Sequence, residues 1–154
     1  MNGKGAHVAP LLFILKNNSA SKISQQKSIG IKYYFMDKKI LKLKEELLLG
    51  LENWAEGKID ENTMLCIAEN LLEKYGWKDF GKNKPESVVM EALSQLEILN
   101  HQLICKDDIP AIKRFLENNK NPESSWADWE SYWNSVDFNE REGRLNAIEF
   151  YRSL

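Results

Sequence analysis

The sequence predicts an all-α fold, an antiparallel bundle or orthogonal array of about six helices, preceded by a poorly ordered N-terminal extension. Three observations carry this expectation. From Ile40 onward the apolar residues recur at steps of three and four. Helix-opening residues (Asp, Asn, Pro) and helix-closing glycines divide that pattern at short intervals. No alternating apolar–polar run is longer than three or four residues, too little to line a strand.

Ile40, Leu43, Leu47, Leu51 and Trp54 line one face of a first helix, which Gly57 ends. Asp60 is placed to cap the second, with Ile59 and Met64 at the spacing of a hydrophobic staple. Ile67, Ala68, Leu71, Leu72 and Tyr75 carry that stripe to Gly76. A connector from Trp77 to Lys84 leads to Pro85, which suits a first helical position because no N–H is needed there. Val88, Val89, Ala92, Leu93, Leu96 and Leu99 form the third stripe, broken by Asn100 and His101. Leu103, Ile104 and Cys105 are expected to cross the core in extended form. Asp107 or Asp108 is then expected to cap a short helix carrying Ile109, Ile112, Phe115 and Leu116, with Pro110 in its first turn. Asn121-Pro122 opens a helix in which Trp126, Trp129 and Trp133 recur at helical steps. Asp137 and Glu140 stand as in a capping box before a last helix carrying Leu145, Ile148 and Tyr151.

A chain of 154 residues with 43% hydrophobic content suits one domain, which at this size buries roughly two-thirds of the surface of its unfolded chain. Residues 36–154 are read as that single α-helical domain. No disulfide staple or structural metal is then required. Cys66 and Cys105 lack the CxxC or Cys/His spacing of zinc and redox sites and read as reduced thiols of a cytoplasmic protein.

The formal charge of −2 is unevenly spread. Residues 1–35 hold Lys4, Lys16, Lys22, Lys27 and Lys32 and no Asp or Glu, so the remaining 16 basic residues face 23 acidic ones and the rest of the chain carries −7. Such a body repels nucleic acid and anionic membrane and favours basic protein partners. The apolar run Pro10–Leu15 is far shorter than the ~20 residues of a membrane span. Three readings of the first 35 residues stay open. One is a secretory signal with residues 6–15 as its apolar core, which His7 and Pro10 weaken; another is a poorly ordered basic extension; the third is upstream sequence before a start at Met36.

Motifs for catalysis or cofactors are sparse, and none is assigned to a metal or cofactor. Gly76–Asn83 matches GxxxxGK but ends on Asn83 where a phosphate loop needs a hydroxyl, and it follows a helix rather than a strand. It reads as a helix-to-helix turn, with Trp77 and Phe80 tucked into the core. Glu97 and His101 stand one helical turn apart, without a Ser or Cys placed to use them, and no ExxH suggests a di-metal bundle.

Residues 117–142 are the strongest local anomaly. Glu117, Glu123, Asp128, Glu130, Asp137, Glu140 and Glu142 are set against only Lys120 and Arg141, interleaved with Trp126, Trp129, Tyr132, Trp133 and Phe138. Trp and Tyr serve binding sites because each buries much area at small entropic cost, and acidic neighbours speed the approach of a basic partner. The tryptophans read equally as the buried stripe of a core helix, and both readings hold if the helix displays Asp128, Glu130 and Tyr132 on its other side. Glu123, Asp128, Glu130, Tyr132, Asp137 and Glu140 are therefore the candidate partner-binding residues.

Two stretches, Leu47–Gly76 (LLLGLENWAEGKIDENTMLCIAENLLEKYG) and Val88–Leu116 (VVMEALSQLEILNHQLICKDDIPAIKRFL), resemble the small helical immunity proteins of bacterial toxin systems, including contact-dependent ones. The likeness covers about 60 of 154 residues: a Gly-x-Ile-Asp entry to one helix, then a Leu-rich helix, a short break and an Asp-Asp-Ile-Pro start. It implies a non-enzymatic protein that neutralises a cognate toxin by tight binding, often by covering a nuclease's basic active site with acidic groups. The basic leader and the Trp-dense fifth helix depart from that family, and no family residue is carried over by position. The alternatives are a helical regulatory or adaptor module for another protein partner and, third, an enzyme acting through Glu97 and His101.

Overall fold

The structure, a computed structural model, describes residues 35–118 and 121–152. The expectations for residues 1–34 lie outside these. Asp37 opens helix α1 (Lys38–Ala55) by accepting the backbone N–H groups of Lys39 at 2.8 Å and Ile40 at 3.4 Å. Asp60 opens α2 (Glu61–Tyr75) through the Thr63 N–H at 2.8 Å, with Met64 fully buried behind it. Pro85 is the first residue of α3 (Pro85–Glu97). Helices α4 (Ile109–Glu117) and α5 (Pro122–Asn134) follow, and the Asn121 side chain caps α5 through the Ser124 N–H at 2.6 Å. Helices α6 (Phe138–Leu145) and α7 (Glu149–Arg152) finish the described chain, and no strand occurs among the described residues.

Tyr34–Leu154 form one compact unit with α3 at its centre. Helix α3 touches α1, α2, α4 and α5, and none of its residues is fully exposed. A helix walled on so many sides must be apolar well beyond a single stripe, which explains the run Val88-Val89-Met90 and then Ala92, Leu93 and Leu96, all buried. Helices α1 and α2 meet where Gly50 leaves room for Met64: a Cβ added at Gly50 would lie 3.3 Å from the Met64 Sδ and Cε atoms.

Three expectations are corrected and one is refined. Trp77 is not in the core but 56% exposed, because the chain leaves α2 through Gly76 at φ 72°, ψ 156°, and Phe80 is the aromatic that turns inward. Of Leu103–Cys105, Ile104 and Cys105 are buried and Cys105 is extended (φ −135°, ψ 178°) as expected, but Leu103 adopts φ 54°, a turn the extended reading did not include. Asp108 does not cap α4 with its side chain; it accepts the Cys105 N–H at 2.8 Å across the short 3₁₀ turn Lys106–Asp108. The last predicted helix is two, broken after Leu145. Ile148 is left 43% exposed, while Tyr151 swings in to donate its hydroxyl to the Ile104 carbonyl at 2.6 Å.

Among the described residues no helix is long and apolar enough to cross a membrane, and no group of three or more His, Cys, Asp or Glu side chains is arranged to hold a metal ion.

Candidate functional site: a groove beside helix α5

The aromatic residues of α5 are arranged by helical geometry around one buried ring. Trp129 is 4% exposed and stacks on Phe115 of α4, with centroids 4.4 Å apart and planes within 8°. Trp126 meets the same Phe115 edge-on at 5.5 Å and donates its indole N–H to the Ser87 hydroxyl of α3 at 2.9 Å. Trp133 packs edge-on against Trp129 at 5.2 Å and stacks toward Phe138 at 6.1 Å. The tryptophan stripe therefore fastens α5 to α3, α4 and α6, and Trp126 and Trp133 keep part of their surface at the boundary with solvent.

Tyr132 is the first sequence-predicted site residue that the fold reassigns. Its hydroxyl donates to Asp108 Oδ1 at 2.5 Å, so the polar tip is committed within the domain while part of the ring stays at the surface. Asp108 is wholly buried and accepts three more hydrogen bonds from two groups. The Arg141 guanidinium forks onto both its oxygens, at 2.8 and 2.9 Å, and the Cys105 N–H supplies the other contact. Arg141, counted in the sequence only as one of two cations in an acidic stretch, is buried and also donates to the Leu103 carbonyl at 3.3 Å. A buried carboxylate is tolerable only with such a complete set of donors. Burial, reinforced by the hydrogen bond to Asp108, pushes the Tyr132 phenol up to about 12. Burial works against the charge on Arg141, but its hydrogen bonds to Asp108 prevail and raise its pKa further.

The predicted acidic surface does not form one patch. Glu123 and Glu130, seven residues apart, share a face of α5, while Asp128 lies on a different one. Glu130 is paired with Lys82 at 2.6 Å, and that ammonium lies 4.5 Å from the Trp126 ring. Asp137 is occupied in capping α6, accepting the N–H groups of Asn139 and Glu140 at 3.1 and 3.0 Å. Glu140 does not reach back to complete a capping box. It lies 3.5 Å from Arg144, which also meets Asp107 at 3.1 Å. Glu123 and Asp128 are exposed, and among the described residues no Lys or Arg forms an ion pair with either. The Glu97–His101 pair makes no hydrogen bond, and His101 is exposed in the turn after α3.

What the fold does build is a groove of about 640 Å³ along the α4–α5 seam. Its walls include Arg114, Phe115 and Glu117 from α4 and Asp128, Trp129 and Tyr132 from α5. The floor is the Phe115–Trp129 stack, and Tyr132 is held as a wall by the Asp108–Arg141 pair behind it. Glu117 also acts on Lys44 of α1, a half-buried ammonium whose pKa burial lowers and Glu117 partly restores. The groove is half open to solvent, with Arg114, Glu117 and Asp128 exposed on its rim. Arg114 and Asp108 were not nominated from sequence. The partner of Asp108 lies 33 positions away, and local periodicity carries no trace of it.

Comparison with family models, with curated proteins and with solved structures finds no match for this chain.

Proposed function

We propose that this chain is a non-enzymatic binding protein of the immunity type, which neutralises a basic toxin, such as a nuclease, by occupying part of its surface. The observation that carries the reading is the α4–α5 groove, which sets the exposed Glu117 and Asp128 carboxylates beside the part-exposed ring of Tyr132. Preformed aromatic ground surrounded by charge is how protein interfaces obtain both affinity and fast approach. Because Glu130, Asp137 and Glu140 are engaged within the domain, the contact is centred on Asp128 and Glu117, with Glu123 contributing to the long-range field.

Co-expression with the product of the adjacent gene tests this. The expected outcome is that the neighbour is toxic alone, harmless with this chain, and co-purifies with it. A neighbour that is neither toxic nor bound defeats the proposal. Electrostatic steering further requires association to slow as salt is added from 50 to 500 mM, roughly the range over which the screening length falls below 5 Å; a salt-independent association rate removes that mechanism.

A further inference from the structure

Helix α5 already accepts cations from its own chain. At Trp126 the Lys82 ammonium lies over the ring at 4.5 Å with its charge met by Glu130 at 2.6 Å. One turn beyond the middle of the helix, the Arg141 guanidinium lies 5.9 Å from Trp133 and 5.8 Å from Phe138, with its charge met by Asp108. Both sites use one device, an aromatic ring facing the cationic head and a carboxylate that meets its charge. The groove on the α4 side of the same helix brings together the part-exposed Tyr132 ring and the exposed Asp128 carboxylate. Among the described residues no Lys or Arg pairs with Asp128.

We infer that this groove is the seat for an arginine or lysine side chain carried on a peptide segment of the partner, an assignment that rests on the immunity reading above. Asp128, assisted by Glu117, takes the cationic tip, which lies against the part-exposed Tyr132 ring. Arg114, on the opposite wall, explains why the occupant is a peptide rather than a free cation such as a polyamine. A guanidinium repels a naked cation but donates to backbone carbonyl oxygens, which an amide-linked segment supplies on either side of the basic residue. Guanidinium is the better fit of the two tips, because it is flat, forks onto a carboxylate and stacks on aromatic rings.

The probe is a capped hexapeptide of alternating arginine and leucine, titrated into the full chain and followed by amide and indole shifts in ¹H–¹⁵N spectra. Parallel titrations use the same peptide with glutamate for arginine, and spermidine as the free cation. Expected are shifts concentrated at residues 111–118 and 125–135, no comparable response to the glutamate peptide or spermidine, and binding weakened about tenfold or more by the D128N and E117Q substitutions together. S131W, which plugs the groove from its exposed rim, should abolish binding while leaving the thermal midpoint unchanged. Shifts elsewhere on the domain, equal binding of spermidine, or indifference to D128N/E117Q and to S131W overturns the assignment. If the toxic neighbour is captured as tightly by S131W as by the unaltered chain, the groove assignment fails and the immunity reading stands. If the peptide binds in the groove but no toxic neighbour is captured, the groove stands and the immunity reading fails.

Discussion

Removing the guanidinium of Arg141 while keeping its bulk, as in Arg141→Met, strands the Asp108 carboxylate in a site with no exposure to solvent. Two of the four short contacts to Asp108 disappear, those at 2.8 and 2.9 Å, leaving the Tyr132 hydroxyl and the Cys105 N–H. Breaking a buried pair from one side costs about 3 to 5 kcal/mol, a large part of the roughly 5 to 15 kcal/mol by which domains are stable. For a folded body of about 120 residues, unfolding entropy is about 0.25 kcal/mol per kelvin, so the thermal midpoint should fall by about 12 to 20 °C. Urea titration followed by circular dichroism at 222 nm measures the loss directly. A second substitution isolates the cause: with Asp108→Asn added there is no stranded charge, and the double variant should regain about 1 to 3 kcal/mol over Arg141→Met alone. A single-variant loss below about 1 kcal/mol, or a double variant no better than the single one, would refute the claim that an uncompensated charge is what the fold cannot tolerate.

Other outcomes follow from the same packing. The Tyr132 phenol has a folded pKa of about 12 against about 10 when unfolded, so the folded state holds this proton more tightly; its stabilising contribution is complete below pH 10 and is lost as pH rises through 12. Tyr132→Phe should therefore cost about 1.5 to 3 kcal/mol at pH 8, with the difference from the unaltered protein shrinking toward pH 12 in paired urea titrations; a constant difference contradicts the assignment. Gly76→Ala forces a side chain into φ 72°, ψ 156° and should cost about 1 to 3 kcal/mol, read as a lower urea midpoint with an unchanged slope. Phe115→Ala removes the ring stacked on Trp129, with an expected loss of about 3 to 5 kcal/mol and a red-shifted tryptophan emission; unshifted emission would mean that Trp129 is shielded by something else.

Local physics made most of the helices legible before the structure. Asp37 did not stand out, but Asp60, Pro85, Asn121 and Asp137 all act at helix starts, and each signal is complete within three or four residues. The stripe residues of α1 and α3 are buried for the same reason: one turn of helix repeats the geometry that the sequence repeats. The site was far less readable. Carboxylates counted along residues 117–142 say nothing of their bearing around α5, nor that Lys82, 48 positions from Glu130, would neutralise one of them. Tyr132 was nominated as a displayed contact because its neighbours are acidic, whereas its hydroxyl is committed to an aspartate 24 residues earlier. Likewise the positive φ of Leu103 sits on a residue type that gives no warning of a turn. Long-range pairing is what the sequence withholds, and the groove is made of it.

The hydroxyl of Tyr151 ties the end of the described chain to its middle. It answers the Ile104 carbonyl, 47 residues upstream, and Ile104 itself is completely buried. Helix α7 is only four residues long, so this contact and the buried Tyr151 ring are what fasten it to the bend at residues 103–105. Fraying of that last helix therefore uncovers a backbone acceptor in the interior, and the corner opens and closes as one unit.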